Sequence, residues 1–187
     1  MMSKKATETV IRPAKRDDIP GIVEVWRTSV SDEEVAGFGT PLSESPYRDV
    51  ETLSSKWTDP NRMGSEEVIV AEIDGTVVGC VTVEDRGSSL ELTNIDVLGE
   101  RQRRGIGTQI VGFVEDLARR QGKDAVTLGT SRSAAGVPWR SLPWWQARGY
   151  HITHEEENDW SRSIGPGAKE IRMRKCLGTS PANTPDL

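Results

Sequence analysis

The sequence is poor in the residues on which many functional classes depend. It contains only two cysteines and two histidines, and Cys80 and Cys176 are too far apart to form a C-x-x-C pair. A cysteine-based zinc site or redox motif is therefore not expected; a reduced, cytoplasmic protein is the simplest interpretation, with a single disulfide left open. No apolar run approaches the length of a membrane span, and residues 1–10 lack the apolar core of a signal peptide.

Positive charge is also in short supply. The 29 acidic residues outnumber the 24 lysines and arginines and give a formal net charge of −5. A nucleic-acid partner is not expected for so acidic a chain, and no membrane partner is expected because no apolar run is long enough to span one. The 187 residues are enough for one domain with a sizeable core. We predict a flexible N-terminus over residues 1–8, a single domain over 9–176 and a disordered tail over 177–187.

Apolar spacing and turn residues predict an α/β domain with a mixed central β-sheet flanked by helices. The clearest helix starts at Gly105-Ile106-Gly107 and keeps its apolar period until Gly122. The dipeptide Asp74-Gly75 between two apolar runs predicts a β-hairpin. In chain order, the prediction comprises a strand at 10–12, a helix after Asp17 or Asp18, a loop at 31–46, a helix at 46–57, strands at 68–73, 76–83 and 90–97, the long helix at 106–121, a strand at 125–128, a short helix ending near 149, and strands at 150–153 and 168–174 joined by an acidic loop.

The most informative segment joins the strand at 90–97 to the long helix. Three arginines, Arg101, Arg103 and Arg104, lead into the glycines at the start of the helix. A glycine-rich turn at a helix N-terminus offers backbone N–H groups and partial positive charge to an anion, and arginines add full charges. The segment therefore predicts a pyrophosphate site; the alternative is an ordinary tight turn before a helix.

Three known turn patterns bind pyrophosphate groups, and this segment matches one of them. A P-loop would need a glycine at position 104 and a lysine before Thr108, and neither is present. A dinucleotide-binding turn would need a glycine at position 110. The third pattern, Gln/Arg-x-x-Gly-x-Gly/Ala, is met by Gln102, Gly105 and Gly107. With this motif between the fourth strand and the third helix, the chain resembles the GNAT superfamily of acyl-CoA-dependent N-acetyltransferases over roughly residues 10–175.

The resemblance implies a single-domain GNAT-like fold in which two adjacent central strands splay apart. The gap admits the pantetheine arm of acetyl-CoA, the expected co-substrate, and a homodimer is the assembly that the family suggests. In the family, the glycine-rich turn holds the pyrophosphate, the preceding strand binds the pantetheine, and an N–H at the position of Val97 faces the thioester oxygen. The coenzyme-binding residues implied in this way are Ile95, Val97, Leu98, Gly99, Gln102, Arg103, Arg104, Gly105, Ile106, Gly107 and Thr108.

A carboxylate is a suitable base to take a proton from the attacking amine. Glu91 lies fourteen positions before Gly105, which resembles the spacing of the catalytic glutamate in GNAT histone acetyltransferases. Strict strand alternation predicts that Glu91 shares one face with Ile95 and Val97, while Asp96 lies on the other face. Glu91 is the predicted catalytic residue; Asp96 and a purely solvent-facing Glu91 are the alternatives.

The sequence departs from the family where a tyrosine commonly protonates the leaving thiolate, because Trp145 occupies that position. Either the thiolate leaves without an acid, or a hydroxyl such as that of Ser141 or Tyr150 replaces it. Trp139, Trp144 and Trp145 either line the acceptor pocket or pack against the sheet edge. The three are the predicted substrate-binding residues.

An acidic loop over residues 154–159 would suit a cationic amine if it bordered the acceptor site, although it could equally be a solvated loop. A metal site is not expected there, since alternation in the strand puts His151 and His154 on opposite faces. The predicted function is transfer of the acetyl group of acetyl-CoA to a primary amine of a small molecule or peptide by direct attack. The alternatives are a non-catalytic acyl-CoA-binding or regulatory module, and an interaction domain whose arginine-rich turn binds an acidic surface.

Overall fold

Residues 8–178, the part of the chain that this computed structural model describes, form nine strands, six α-helices and three short 3-10 helices. The strands are β1 (Val10–Pro13), β2 (Trp57–Thr58), β3 (Arg62–Met63), β4 (Glu66–Ile73), β5 (Thr76–Asp85), β6 (Ser89–Val97), β7 (Ala125–Arg132), β8 (His151–Glu156) and β9 (Lys169–Cys176). The helices are α1 (Ile19–Ser29), α2 (Asp32–Val35), α3 (Val50–Lys56), α4 (Ile106–Arg120), α5 (Leu142–Gln146) and α6 (Asp159–Ile164). The predicted order of the longer elements is confirmed; α2, β2, β3 and α6 are additions to it.

The predicted ends of the chain fall mostly outside the described residues. The expected flexibility of residues 1–7 and disorder of residues 179–187 lie there and remain predictions. Leu177, which the sequence assigns to the tail, is 5% exposed, and its N–H donates to the carbonyl of Asp124 at 2.8 Å. Within residues 8–178, no helix combines the length and the apolar character that crossing a membrane requires.

The strands form one mixed sheet in the order β2-β3-β4-β5-β6-β7-β9-β8, with β1 paired to β4. Within residues 8–178, every neighbouring pair is antiparallel except β6 and β7. The parallel pairing covers only Ser89–Leu92 opposite Ala125–Leu128, although both strands continue beyond it. The predicted splaying of two central strands is therefore confirmed, and it opens the sheet towards the start of α4.

Helices cover both faces of the sheet. On the α1 face, Val70 and Cys80 pack with Ile22 and Val25 of α1. On the α4 face, apolar residues of β5, β6 and β7 pack with the buried stripe of α4 and with the segment around α5. The stripe of α4 consists of Ile106, Ile110, Val114 and Ala118, at the helical spacing predicted from the sequence.

A β-bulge interrupts β6 at Thr93. The register between β5 and β6 shifts between Thr82 and Val83, so Thr93 has no residue opposite it. The Thr93 hydroxyl hydrogen-bonds with the Thr82 hydroxyl at 2.7 Å and lies 3.2 Å from the Thr82 carbonyl, to which it can donate. An extra residue in one strand reverses the alternation of side chains beyond it.

The bulge corrects the predicted arrangement of side chains on this strand. Leu92 packs on the α4 face, and so do Ile95 and Val97, although they lie three and five positions after Leu92 and regular alternation would put them on the other face. The prediction that Glu91 shares a face with Ile95 and Val97 is therefore wrong. Glu91 and Asp96 both lie on the α1 face, because the bulge stands between them.

A second bulge corrects the prediction for the histidines. His151 lies opposite Arg174 and His154 opposite Arg172, so the two histidines share a face. The extra residue that brings this about is Thr153. Within residues 8–178, no group of three or more histidine, cysteine or acidic side chains is arranged to hold a metal ion. Cys80 and Cys176 are both free thiols.

Candidate active site

A cavity of about 780 Å³ opens where β6 and β7 diverge. It extends from the turn before α4, across the exposed edge of β6, to the loops that follow α1 and β7. Of the coenzyme-binding residues implied by the family resemblance, those that line it are Ile95, Val97, Gln102, Arg103, Gly105, Ile106, Gly107 and Thr108. Leu98, Gly99 and Arg104 do not line it.

The turn at one end of the cavity has the geometry of an anion site. Arg103 and Gly105 both have left-handed backbones, with φ of 59° and 83°. Gly105 is the N-cap of α4 and supplies no side-chain acceptor to the first helical turn. In the described part of the chain, Arg103 and Arg104 form no ion pair. Unused amides and the helix dipole therefore meet at the turn, where the unpaired Arg103 lines the cavity.

Arg148, which no sequence motif indicated, adds a cation beside this turn. One of its Nη atoms donates to the Thr108 hydroxyl, and its guanidinium carbon lies 3.6 Å from the ring centroid of Trp144. Burial lowers the pKa of Arg148 from its ordinary value. A Cβ at Gly107 would be 3.6 Å from Trp144, so the tryptophan closes one side of the turn.

The exposed edge of β6 carries backbone groups that no strand pairs. The Leu98 N–H donates to the Val78 carbonyl of β5 at 2.9 Å. Because backbone groups alternate along a strand, the N–H and carbonyl of Val97 point away from β5, towards the gap. The Gln102 side chain reaches that edge and donates to the Val97 carbonyl at 3.2 Å. The Val97 N–H is left facing the cavity.

Two neighbouring residues, for which the family resemblance implies coenzyme contacts, have amide N–H groups that are already bonded within the protein. The Leu98 amide is used by β5, and the Gly99 N–H donates to the Thr28 hydroxyl at 3.2 Å. A Cβ at Gly99 would lie 2.4 Å from the Thr28 carbonyl oxygen, so this glycine allows α1 to approach. Gln102 also donates to the Ser29 carbonyl at 2.7 Å, and it thereby ties the end of α1 to the end of β6.

Glu91 lines the cavity, but other side chains occupy its carboxylate. Oε1 accepts from Arg172 at 3.0 Å, and Oε2 lies 3.3 Å from Nε of Arg86. Arg172 also binds Glu170 at 2.7 Å. This ion pair sits over Gly129, where a Cβ would lie 2.0 Å from the Glu170 carboxylate. Both carboxylate oxygens of Glu91 are thus held by arginines in a charged network beside the cavity.

Asp96 is the carboxylate nearest to Val97 in sequence, and no cation within residues 8–178 pairs with it. Burial raises the pKa of Asp96 to about 6, against the opposing effect of hydrogen bonds with Ser29 and Asn94. The Asn94 amide donates to Asp96 Oδ2 at 2.9 Å. A cavity carboxyl group with a raised pKa and no cationic partner is a candidate for a general base.

The three predicted substrate-binding tryptophans all line the cavity. Trp139 packs against Phe38 with ring centroids 5.3 Å apart, so the loop after β7 meets the loop after α2. Trp145 is only 4% exposed and packs edge-on against Trp144 and Tyr150, so it also belongs to the core. The segment thus lines the cavity at Trp139 and packs into the core at Trp145, and binding of the acceptor by the three tryptophans stays a prediction.

The two hydroxyl candidates for the missing acid differ in position. Tyr150 does not line the cavity; it is buried and donates to Glu115 at 3.1 Å. Burial and the charge of Glu115 raise its pKa. Ser141 does line the cavity, and its hydroxyl caps no helical amide. Of the two hydroxyl residues, only Ser141 lines the cavity.

The predicted acidic loop contributes little to the cavity. Much of it is strand β8, and Glu155 forms an ion pair with Arg132 at 2.6 Å. Residues 154–159 do not line the cavity, whereas Trp160 does. The acidic side chains of the cavity wall come from the sheet instead: Glu66, Glu91, Asp96 and Glu170.

The comparisons with known proteins agree with this geometry. The family model described as the acetyltransferase (GNAT) family matches residues 27–136, more than half of the chain. No curated protein sequence matches. Among solved structures, PaiA N-acetyltransferase from Thermoplasma acidophilum in complex with coenzyme A is 19% identical, with a TM-score of 0.65 over 91% of this chain and 99% of the other.

Two further structures have the same fold. Ribosomal-protein-alanine N-acetyltransferase from Brucella melitensis is 22% identical, with a TM-score of 0.66 over 90% of this chain and 99% of the other. Ribosomal-protein-S18-alanine N-acetyltransferase from Escherichia coli is 15% identical, with a TM-score of 0.64 over 94% and 98%. These likenesses establish the fold, and the family match establishes the kind of enzyme. The chain belongs to the GNAT family and is a GNAT-type acetyltransferase.

Proposed function

We propose that this enzyme transfers an acetyl group from acetyl-CoA to a primary amine by direct attack, without a covalent enzyme intermediate. The observation that carries the proposal is that one cavity joins an anion-binding turn, the N–H of Val97 and the carboxyl group of Asp96. These are the parts that the reaction needs: a held donor, an oxyanion contact and a base. The acceptor is a small molecule or a peptide amine that enters from the α1 face.

Coenzyme A fits the residues at the turn. Its pyrophosphate would accept hydrogen bonds from the first-turn amides of α4, with Arg103 at the cavity wall and Arg104 nearby in solvent. The pantetheine arm would lie along the exposed edge of β6, where β7 has turned away. The Val97 N–H faces this path, so it could donate to the thioester oxygen.

The reaction needs few steps once both substrates are in place. The amine nitrogen attacks the thioester carbon, and negative charge grows on the oxygen that faces the Val97 N–H. The carbon–sulfur bond then breaks, and the coenzyme leaves as a thiolate that takes up a proton from solvent, or it takes a proton from the Ser141 hydroxyl, which regains one from solvent. The amine loses its proton to Asp96, and the products are the acetylated amine and coenzyme A.

Asp96 fits the role of base better than Glu91, the residue favoured by sequence. Guanidinium groups occupy both oxygens of Glu91, whereas no cation of the described chain pairs with Asp96. Replacing a general base lowers turnover by about 10²- to 10⁴-fold. We therefore expect a loss of that size in kcat for Asp96→Asn and a smaller one for Glu91→Gln. The reverse order would return the role to Glu91.

Thermal stabilisation by acetyl-CoA tests the binding step. At about 100 times its Kd, a ligand that binds only the folded state stabilises it by about 2.7 kcal/mol. Wild-type protein should show this shift, and the Arg103→Ala/Arg104→Ala variant should lose most of it. Arg16→Ala/Arg27→Ala is the matched control, since these two exposed arginines lie outside the cavity. No shift in the wild type would contradict the site.

Release of coenzyme A thiol tests the chemical step. Amines of several classes are mixed with acetyl-CoA, and the thiol is followed with a chromogenic disulfide. Turnover with at least one amine is the expected result. Binding of acetyl-CoA without turnover for any amine would favour a non-catalytic acyl-CoA-binding module, for which the buried Trp145 in place of the tyrosine is the supporting observation.

A further inference from the structure

Three glutamates lie side by side on the α1 face of the sheet. Glu66 of β4 is directly opposite Glu84 of β5, which is directly opposite Glu91 of β6. Residues in such a row have their side chains on the same face, about 5 Å from strand to strand, and like charges placed this way repel. The row therefore needs cations to stabilise it.

Arginines of the protein form ion pairs with only two of these three glutamates. Arg86 binds Glu84 at 2.7 Å and Glu91 at 3.3 Å, and Arg172 binds Glu91 again. Glu66 has neither an ion pair nor a side-chain hydrogen bond within residues 8–178, although it lines the cavity. One end of the row is thus an uncompensated negative charge that faces the acceptor space.

The wall around Glu66 suits an organic cation. Tyr47 lines the cavity, is 4% exposed, and stacks on Trp26 with ring centroids 5.2 Å apart and an interplanar angle of 16°. Burial raises the pKa of the Tyr47 phenol, and the charges of Glu66 and Asp96 raise it further, so both carboxylates act on this one hydroxyl. Aromatic faces together with carboxylates are the groups that bind alkylammonium ions.

We propose that the acceptor carries a second cationic group, which Glu66 binds while the amine to be acetylated lies beside Asp96. The inference rests on the proposed amine acetyltransferase activity. Glu66 lies four residues along β4 from Val70, and two strand spacings separate Val70 from Asp96. The Cα atoms of Glu66 and Asp96 are therefore about 16 Å apart. An extended diamine, or a longer chain with cationic groups at both ends, spans that distance.

The test compares α,ω-diamines with n-alkylamines of the same chain length in the thiol-release assay. A long diamine should have a kcat/KM at least about tenfold above that of the matched monoamine, since one hydrogen-bonded charge pair is worth about this factor or more. Ethylenediamine, which cannot reach both carboxylates, should lack the advantage. Glu66→Gln should abolish the advantage, mainly through a higher KM for the long diamine.

Glu67→Gln is the matched control, because Glu67 precedes Ile69 on the α4 face, lies outside the cavity and is held by Asn61 at 3.0 Å. It should leave the preference for diamines unchanged. Equal kcat/KM for long diamines and monoamines, or equal losses for both in Glu66→Gln, would overturn the inference.

Calorimetric binding of the long diamine separates this inference from the proposed function. If no amine releases thiol, the proposed function fails. The diamine should nevertheless bind at least about tenfold more tightly to the wild type than to Glu66→Gln. Equal binding to the two proteins would overturn the inference independently of catalysis.

Discussion

Replacing Asp96 with asparagine should make the protein more stable and much less active. Burial raises the pKa of Asp96 from its ordinary 3.8 to about 6. Because each tenfold change in an ionisation constant corresponds to about 1.36 kcal/mol, ionised Asp96 costs the folded state about 3 kcal/mol at pH 7. Asparagine has the same shape, carries no charge and can still bond with Ser29 and Asn94. The free energy of unfolding should therefore rise by up to about 3 kcal/mol, and Tm by roughly 6–12 °C.

The sign follows from the two titrations. Since the folded pKa lies above the unfolded one, the unfolded chain releases this proton first as the pH rises from 3.8 to about 6. The Asp96 contribution to stability therefore falls through that window and is constant above it. The difference in unfolding free energy between variant and wild type, measured by denaturant titration from pH 4 to 8, should grow through the same window.

Asp18→Asn is the control of opposite sign. Its hydrogen-bonded pairing with Arg12 holds the pKa of Asp18 below its ordinary value, so that variant should be less stable than wild type at pH 7. The deficit should shrink as the pH falls through the Asp18 pKa. If Asp96→Asn behaved like Asp18→Asn, the carboxylate would be stabilised by its surroundings, and both the burial argument and the case for Asp96 as base would fail.

Three further predictions concern single residues. Gly105→Ala should lower the unfolding free energy by about 1–2 kcal/mol, because φ is 83° there. Gly112→Ala inside α4, where a Cβ meets nothing, should instead raise it by about 0.5–1 kcal/mol. Similar denaturation midpoints for the two variants would contradict both expectations. Glu115→Gln should cost about 3 kcal/mol, since it weakens bonds to both Tyr150 and Lys175, and an unchanged Tm would count against it. Arg140→Ala should change stability by less than about 1 kcal/mol, since its partner Glu34 is also exposed, and a larger loss would show that this pair fastens the loops.

The long elements of the fold could be predicted because local pattern decides them. The stripe of α4 is regular over its whole length, and Asp74 and Gly75 both adopt the positive φ that a two-residue hairpin requires. The short helix α2 was missed although its signal was present, since Ser31 and Glu34 form a capping box. A four-residue helix has too short an apolar pattern to stand out from a loop.

The arrangement of charged groups in the site could not be predicted in the same way. No glycine or proline marks the bulge at Thr93 in the sequence, and the hydrogen bond at the bulge joins the Thr93 hydroxyl to the Thr82 hydroxyl of another strand. The bulge reversed the face of Glu91 and thus the argument for its role. Glu66 lines the cavity and Arg172 binds the cavity residue Glu91, but the two lie on strands far apart in the sequence, so no local spacing relates them.

The four residue pairs between β6 and β7 are the only hydrogen-bonded seam, within residues 8–178, between the first six strands and the last three. A sheet joined by so short a seam resembles a hinge, and beyond it the edge amides of β6 lie open. A ligand bound in the gap would occupy the place of the missing strand pairing, and it would contact both β6 and β7. The coenzyme would then stabilise the sheet as well as react. The sheet around the reacting groups would become more rigid when the coenzyme binds and less rigid when it leaves, once in each turnover.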